Sequence, residues 1–306
     1  MNEQYFVRNY QPKDLQKFTE LVIKEKIYLP EHHLSPPTIR ARLNRPNYSP
    51  NADLFIIGNN VNLVGYLELT REPEIERIIL ECWIHPEHRR KGLATILLNK
   101  AILRAHEVGI FRLQVNILDS NVLAQKVLSK LGFKCVRKYD ELRLATSMLN
   151  LPRSLDNQIA SRSLQNGEEV ILTELQNRCF AGSWGYNPNT VEVISYHMNA
   201  SGCSPQDVIL ICQEDRPISY CWTEITPPST SSARMVGRIY MIGVDPDYRG
   251  RGLGRKVLVA GLTHLKNNGA EIIELTVDSA NHVACSLYRT IGFTKWSTSL
   301  WYERQT

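Results

Sequence analysis

Three landmarks recur in this chain at one spacing. Arg89 and Arg249 are 249 − 89 = 160 residues apart, Asn121 and Asn281 are 281 − 121 = 160 apart, and Gly132-Phe133 precedes Gly292-Phe293 by the same 160. Such agreement without a gap points to a tandem duplication, and so long a period makes each copy a whole domain. The length of 306 residues fits two domains of the usual size. Between the copies, residues 150–157 combine Pro152 with polar neighbours and no sustained period, as a linker does. The expected domains are residues 1–150 and 156–306.

Both copies read as β-α-β-β-β-α-β-α-β, an α+β plan with a mixed, mostly antiparallel sheet flanked by helices. Residues 5–8 and 159–162 suit a short first strand, and residues 15–27 and 169–180 carry apolar side chains at helical spacing. Residues 54–57 and 208–211 are strand-like, with turns expected at 58–60 and 214–217. Residues 78–84 and 239–244 have the apolar, β-branched character of a buried central strand. Helices are expected over 93–108 and 253–268, with Gly109 and Gly269 as their stops.

The join between that central strand and its helix carries the chemistry. It reads Arg89-Arg90-Lys91-Gly92-Leu93-Ala94 in the first copy and Arg249-Gly250-Arg251-Gly252-Leu253-Gly254 in the second. A helix start offers unpaired N–H groups and partial positive charge, glycine admits close approach, and the cations add attraction. A pyrophosphate is the natural guest. A dinucleotide fingerprint fails, because Arg255 and Val257 stand where its last glycine belongs, and no Gly-Lys-Ser/Thr is present.

The rest of the composition narrows the class. Net charge is 36 − 31 = +5, mild enough to suit anionic ligands without implying nucleic acid. Seven scattered cysteines, with no Cys-x-x-Cys, suit a reduced cytoplasmic chain. No apolar run reaches about 18 residues, so no membrane span is expected. Glu31-His32-His33 lacks further spaced ligands, and His85 and His88 read as surface or phosphate-adjacent groups, so no metal is expected.

These loops, the preceding Val244-Asp245-Pro246, Asn281, and Tyr288 to Phe293 together resemble the GNAT superfamily of N-acetyltransferases, once per copy. The tandem layout and the stretch from Phe180 to Pro188 are similar, more narrowly, to its mycothiol-synthase branch. The resemblance implies acetyl-CoA as cosubstrate, held by Ile242, Gly243, Val244, Arg249, Gly250, Arg251, Gly252, Leu253, Gly254, Arg255 and Asn281. In the first copy it points to Cys82, Trp83, Ile84 and the loop Arg89 to Ala94. It implies a small-molecule primary amine as acceptor; Trp184 and Tyr186, where acceptors of the family enter, are candidates to stack on it or to pack the lid, and Arg238 is a candidate to bind an acidic acceptor.

Amine acetylation needs a base for the amine and an acid for the leaving thiolate. Tyr288 stands where the family keeps its acid, while the first copy has Leu128 there (288 − 160 = 128), so the second copy is the expected catalyst. A core aromatic on the last helix is the alternative reading of Tyr288. That branch places a glutamate on the central strand where this chain has Arg238, which cannot accept a proton. Glu224 is the best spare carboxylate and Asp278 another; either suits a solvated surface charge as well. The first loop either holds acetyl-CoA without turnover or stands empty, and binding is the favoured expectation. A binding-only module and a protein or peptide N-terminal acetyltransferase are the competing functions. A monomer is expected, since tandem halves can satisfy their own sheet edges.

Overall fold

The computed structural model describes residues 4–28, 35–149, 161–200, 203–226 and 234–306. The first repeat runs β1 (Phe6–Asn9), α1 (Leu15–Tyr28), α2 (Pro36–Leu43), α3 (Pro50–Asp53), β2 (Leu54–Gly58), β3 (Leu63–Glu72), β4 (Arg77–Ile84), α4 (Leu93–Val108), β5 (Arg112–Leu118), α5 (Val122–Lys130) and β6 (Lys134–Ala145). The second runs β7 (Ser161–Ser163), α6 (Glu169–Phe180), α7 (Val191–Ala200), β8 (Val208–Gln213), β9 (Arg216–Thr226), β10 (Val236–Val244), α8 (Leu253–Asn267), β11 (Ile272–Asp278), α9 (His282–Ile291) and β12 (Thr294–Gln305).

The expected order is present, with α2, α3 and α7 added. Ser35 starts α2 by accepting the Thr38 N–H, with Pro36 in the first turn, a start signal at the helix's own scale. In α4, Leu93, Leu97, Ala101 and Ala105 form one buried stripe, and Gly109 ends the helix at φ 69°. The turn expected at 214–217 is shorter. Glu214 takes φ 55°, and β9 already begins at Arg216, with Pro217 opposite Cys212 at a register irregularity that tolerates proline. Residues 150–157, 159–160 and 31–33 lie outside the described residues.

Contacts divide the chain into two units that differ from the two repeats. Unit 1 is Met1–Ile117, Asn121–Val136 and Leu300–Thr306; unit 2 is Leu118–Ser120 and Arg137–Ser299. In unit 1 the strand order is β1-β2-β3-β4-β5, followed by the last residues of β12. Those residues are tied in by Gln114 Nε2 donating to Glu303 (2.7 Å) and by the Thr306 N–H donating to the Phe111 carbonyl (2.9 Å). Leu300 and Tyr302 join its core with Leu69, Ile78, Leu97 and Leu113. In unit 2 the order is β12 (its first residues), β6, β11, β10, β9, β8, β7. There β6 pairs antiparallel with β11 from Tyr139↔Asp278 to Ala145↔Ile272. Each repeat thus gives the end of its chain to the unit built mainly by the other.

The offset between repeats changes along the chain. Bidentate pairs Arg8–Asp14 and Arg162–Glu168, and register pairs Ile57↔Gly65 and Ile211↔Ser219, are all 154 apart. From Ile84 and Val244 onward the offset is 160, so six residues are added. Five lie in the β9–β10 connection, which spans nine residues between Thr226 and Val236 against four between Glu72 and Arg77. The sixth is inside β10. Thr223 faces Ile239 and Trp222 faces Met241, which leaves Tyr240 as a β-bulge, whereas β3 and β4 pair without interruption from Gly65↔Ile84 to Glu72↔Arg77.

Both units open at the same level. The parallel pairing of β4 with β5 covers only Arg77, Ile78 and Ile79, and that of β10 with β11 only Val236, Gly237 and Arg238. Beyond these residues the strands diverge and leave a wedge between them.

Candidate active site

At the wide end of the unit 2 wedge, β10 runs through a 3-10 turn, Pro246–Tyr248, into α8. Asp245 is 1 % exposed and caps that turn by accepting the Asp247 N–H. Arg178 of α6 holds it with two bonds, of 3.0 and 2.8 Å, and takes Asp247 at 2.8 Å. The guanidinium holds the Asp245 carboxyl below the usual carboxylate range.

The loop residues divide into braces and open backbone. Arg249 bends back, its Nη2 donating to the Cys179 carbonyl (2.7 Å) and its Nε to the Val244 carbonyl (3.3 Å). In unit 1 Arg89 Nε makes the matching bond to Ile84 (2.9 Å). Arg251 donates to the Asp247 carbonyl (3.3 Å), and Lys91 to the Tyr5 hydroxyl (2.8 Å). Arg90 and Arg255 are exposed. Gly252 (φ 75°) and Gly92 (φ 76°) start α8 and α4 with no side-chain cap, and a Cβ at either would meet nothing within 4 Å. Leu253 and Leu93 anchor their helices in the cores. At Gly254 a Cβ meets only ordinary contacts, which is why Ala94 is accommodated in unit 1. Open, uncapped N–H groups in an arginine-rich setting fit an anionic group such as a pyrophosphate in both units.

Asn281 caps α9 by accepting the Ala284 N–H, as Asn121 caps α5 through Ala124. Capping accounts for both copies of this landmark. Ile242, Gly243 and Val244 line the divergent stretch of β10; Gly243 is packed so closely that a Cβ would lie 2.7 Å from that of Cys179. Their counterparts split, with Cys82 exposed, Trp83 buried among Phe18 and Tyr66, and Ile84 partly buried.

Tyr288 is 6 % exposed, in the same core as Cys221 and Phe293, its ring 5.9 Å from that of Phe293. Burial first, then the nearby thiols Cys221 and Cys285, raises its pKa, so the phenol keeps its proton. Leu128 fills the corresponding core position of unit 1.

On the other side of β10, Glu224 and Arg238 face each other in register. Burial raises the Glu224 carboxyl above its ordinary range, and Arg238 works against that shift. Asp278 is engaged by Arg137 at 2.6 Å. Tyr186 is a brace: its ring stacks on Phe180 (5.2 Å), its hydroxyl donates to Asn177 (2.7 Å), and its pKa is raised to about 12. Trp184 lies in the same α6–α7 link, beside Tyr139 and Arg137.

Three aromatic groups at the bulge escaped the sequence reading. The Tyr240 ring lies 5.1 Å from Trp222 and 5.8 Å from His197 of α7. Burial lowers the His197 pKa and so favours neutral imidazole. Ile194 and Met198 are the buried residues of α7, as Ile39 and Leu43 are of α2, which puts His197 where α2 carries Arg42. Only pairing strands and helices across the repeat, at an offset other than 160, could have found it.

Arg42 does something different. It bonds Glu68, which is 2 % exposed (2.5 Å), and Glu81 (2.8 Å); Arg45 adds a second bond to Glu68 (2.5 Å), and the Tyr66 hydroxyl donates to Glu81 (2.9 Å). An ion-pair lattice centred on the buried Glu68 thus occupies the unit 1 region where unit 2 gathers aromatic rings.

The chain is matched by the Acetyltransferase (GNAT) family over residues 16–133 and 170–293. It is 29 % identical over 265 residues to the mycothiol acetyltransferase of Thermobispora bispora (83 % of this chain, 85 % of that protein), and 28 % identical over 253 residues to that of Saccharomonospora viridis (81 % of each). Its fold is shared by a GCN5-related N-acetyltransferase from Sphaerobacter thermophilus, with a TM-score of 0.71 at 17 % identity over 98 % of this chain and 95 % of that one. No described helix is long and apolar enough to cross a membrane. Twice matched along its length, and α+β in each unit, the chain belongs to the GNAT family and is a tandem N-acetyltransferase that draws its acyl group from an acyl-CoA.

Proposed function

We propose that unit 2 transfers an acetyl group from acetyl-CoA to the primary amine of a small molecule by direct attack. The observation that carries this reading is Tyr288, a buried phenol with a raised pKa at a position where unit 1 has Leu128. Acetyl-CoA supplies the acyl group as a thioester. The open N–H groups from Gly252 onward would hold its pyrophosphate, and the divergent edge of β10 at Ile242 to Val244 its extended arm.

The acceptor enters on the side of Tyr240, Trp222 and His197, with Arg238, Trp184 and Tyr186 around it. Glu224 takes the amine proton, directly or through water, because its raised pKa brings a carboxylate nearer to working pH. His197, kept neutral by burial, is the second basic group there. Attack forms the C–N bond and the C–S bond breaks; Tyr288 then gives its proton to the departing sulfur. The bulge at Tyr240 takes backbone polar groups out of the β9 ladder, where they can face a developing oxyanion.

Unit 1 keeps the loop that binds the anion and lacks the acid. Its Arg42–Glu68–Glu81 lattice supports a non-catalytic role, with acetyl-CoA bound and not turned over. The likeness to proteins named mycothiol acetyltransferase favours a small-molecule amine over a peptide as acceptor class. Screening primary amines with release of free CoA thiol as the readout tests the reading. It predicts turnover on small amines and none on peptide N-termini; turnover on peptides alone would overturn the acceptor assignment.

A further inference from the structure

We propose that His85, Glu87 and His88 of unit 1 bind a divalent transition-metal ion, with Zn2+ the best fit, which staples the turn leading into the first glycine loop. Each residue offers one ligand atom, and these atoms all lie within 4.8 Å of one another. Zinc bonds of about 2.0–2.2 Å to nitrogen and oxygen bring tetrahedral ligand atoms to about 3.4 Å apart. Glu87 is exposed and both imidazoles are only partly buried, so the ligand atoms have room to draw together around an ion. Two imidazoles and one carboxylate suit zinc, cobalt or nickel and disfavour magnesium and calcium, which prefer all-oxygen sets. Water would complete the shell.

The backbone that carries the three groups is already fixed. The His85 N–H donates to the Val64 carbonyl (2.8 Å) and the His88 N–H to the His85 carbonyl (2.9 Å), with Pro86 between them. The rings are also held. The Tyr5 hydroxyl lies 2.8 Å from His88 Nδ1 and accepts a bond from Lys91, while the Trp83 ring meets His85 edge-on at 5.8 Å. A hydrogen-bonded partner behind a ligand imidazole is the usual outer shell of a metal site.

The second unit shows what such a staple would replace. At the same repeat positions it has Asp245, Asp247 and Tyr248, and Arg178 clamps both carboxylates there. Arg178 corresponds, at the offset of 154 that holds for the first helices, to Lys24, which is exposed. Position 85 has no carboxylate for a cation to grip. An arginine staple in one unit thus answers to a donor set for a metal ion in the other.

The test uses the full chain, without an affinity tag, stripped of metal by chelator. Co2+ is titrated with its visible d–d bands as the readout, and Zn2+ by calorimetry. The proposal predicts one saturable equivalent per chain, a thermal midpoint raised by the ion, and loss of that equivalent in His85→Ala and in His88→Ala. Tyr5→Phe should weaken binding by about 10–100-fold. Absence of saturable binding overturns the proposal, as does binding that survives the His85→Ala/His88→Ala double variant. Circular dichroism of the stripped variants confirms that any loss of binding is not loss of fold.

Discussion

One plan, built twice, has been worked in opposite directions in the two units. Both open their central strands at the same level, Arg77 to Ile79 in one and Val236 to Arg238 in the other, and both start the next helix on a left-handed glycine with open space above it. Unit 1 then fills its cleft with charge: Arg42 bonds both Glu68 and Glu81, and the buried Tyr66 hydroxyl donates to Glu81. In unit 2 the counterparts of Glu68 and Glu81 are Trp222 and Met241, and Tyr220, the counterpart of Tyr66, has a buried hydroxyl without a hydrogen-bond partner among the described residues. A satisfied lattice is rigid and inert, whereas an unsatisfied buried hydroxyl is costly and calls for a functional reason. Opening the sheet is therefore a property of the fold, and the bulge, the phenol and an imidazole that burial keeps neutral are what unit 2 adds to it.

The largest expected effect comes from the proposed acid. Tyr288→Phe keeps the ring and removes the proton, so kcat should fall by about 10²–10⁴-fold with acyl-CoA affinity unchanged. Single-turnover kinetics beside calorimetric titration check both halves of that statement, and an unchanged kcat would erase the main difference between the units. Deleting Tyr240 would give β10 the uninterrupted register of β4. Turnover should then drop by about 10²-fold if the bulge aims a donor at the oxyanion, while thermal denaturation shows whether the sheet survives.

Next comes the lattice. Glu68→Ala leaves Arg42 and Arg45 without their shared carboxylate and should cost unit 1 about 3 kcal/mol by denaturant titration. Turnover should hardly change, and a large loss would give unit 1 a part in the chemistry.

Smaller effects lie in pH. Burial raises the Glu224 pKa, so its basic form is lost as pH falls through a value above the ordinary carboxylate range. The acid limb of kcat/KM should lie there and vanish in Glu224→Gln. Persistence of the limb would move the base to His197, and His197→Gln would then remove it. Asp245 has a lowered pKa, so its contribution to stability is present above the ordinary aspartate value and lost as pH falls through the folded one. Arg178→Ala should flatten that acid dependence of the thermal midpoint.

Much of this was legible in the sequence, and the reason is local. Helix starts, glycine stops and the anion loop are written by adjacent residues, so α4 and α8 fall where the pattern of Leu93 to Val108 and its counterpart put them. What was not legible depends on distance or on geometry. A fixed offset of 160 hides the pairing of Arg42 with His197, because the first helices are related by smaller offsets. A bulge has no residue signature of its own, and Tyr240 reads as one more strand residue. The exchange of strand ends between repeats, 300–306 for 137–149, is a matter of tertiary contact. Arg249 and Asn281 show the converse: their repetition is visible, but only the structure shows the first bracing the Cys179 and Val244 carbonyls and the second capping α9.

The division of labour between the units is tested most directly by moving the same charge into each loop. Gly252→Glu and Gly92→Glu each put a carboxylate where a pyrophosphate is expected, and acetyl transfer to a small amine is followed by CoA thiol release. Gly252→Glu should abolish turnover and one acetyl-CoA site, while Gly92→Glu should leave turnover near that of the unaltered chain. Turnover lost in Gly92→Glu and kept in Gly252→Glu would contradict that division and place the chemistry in unit 1.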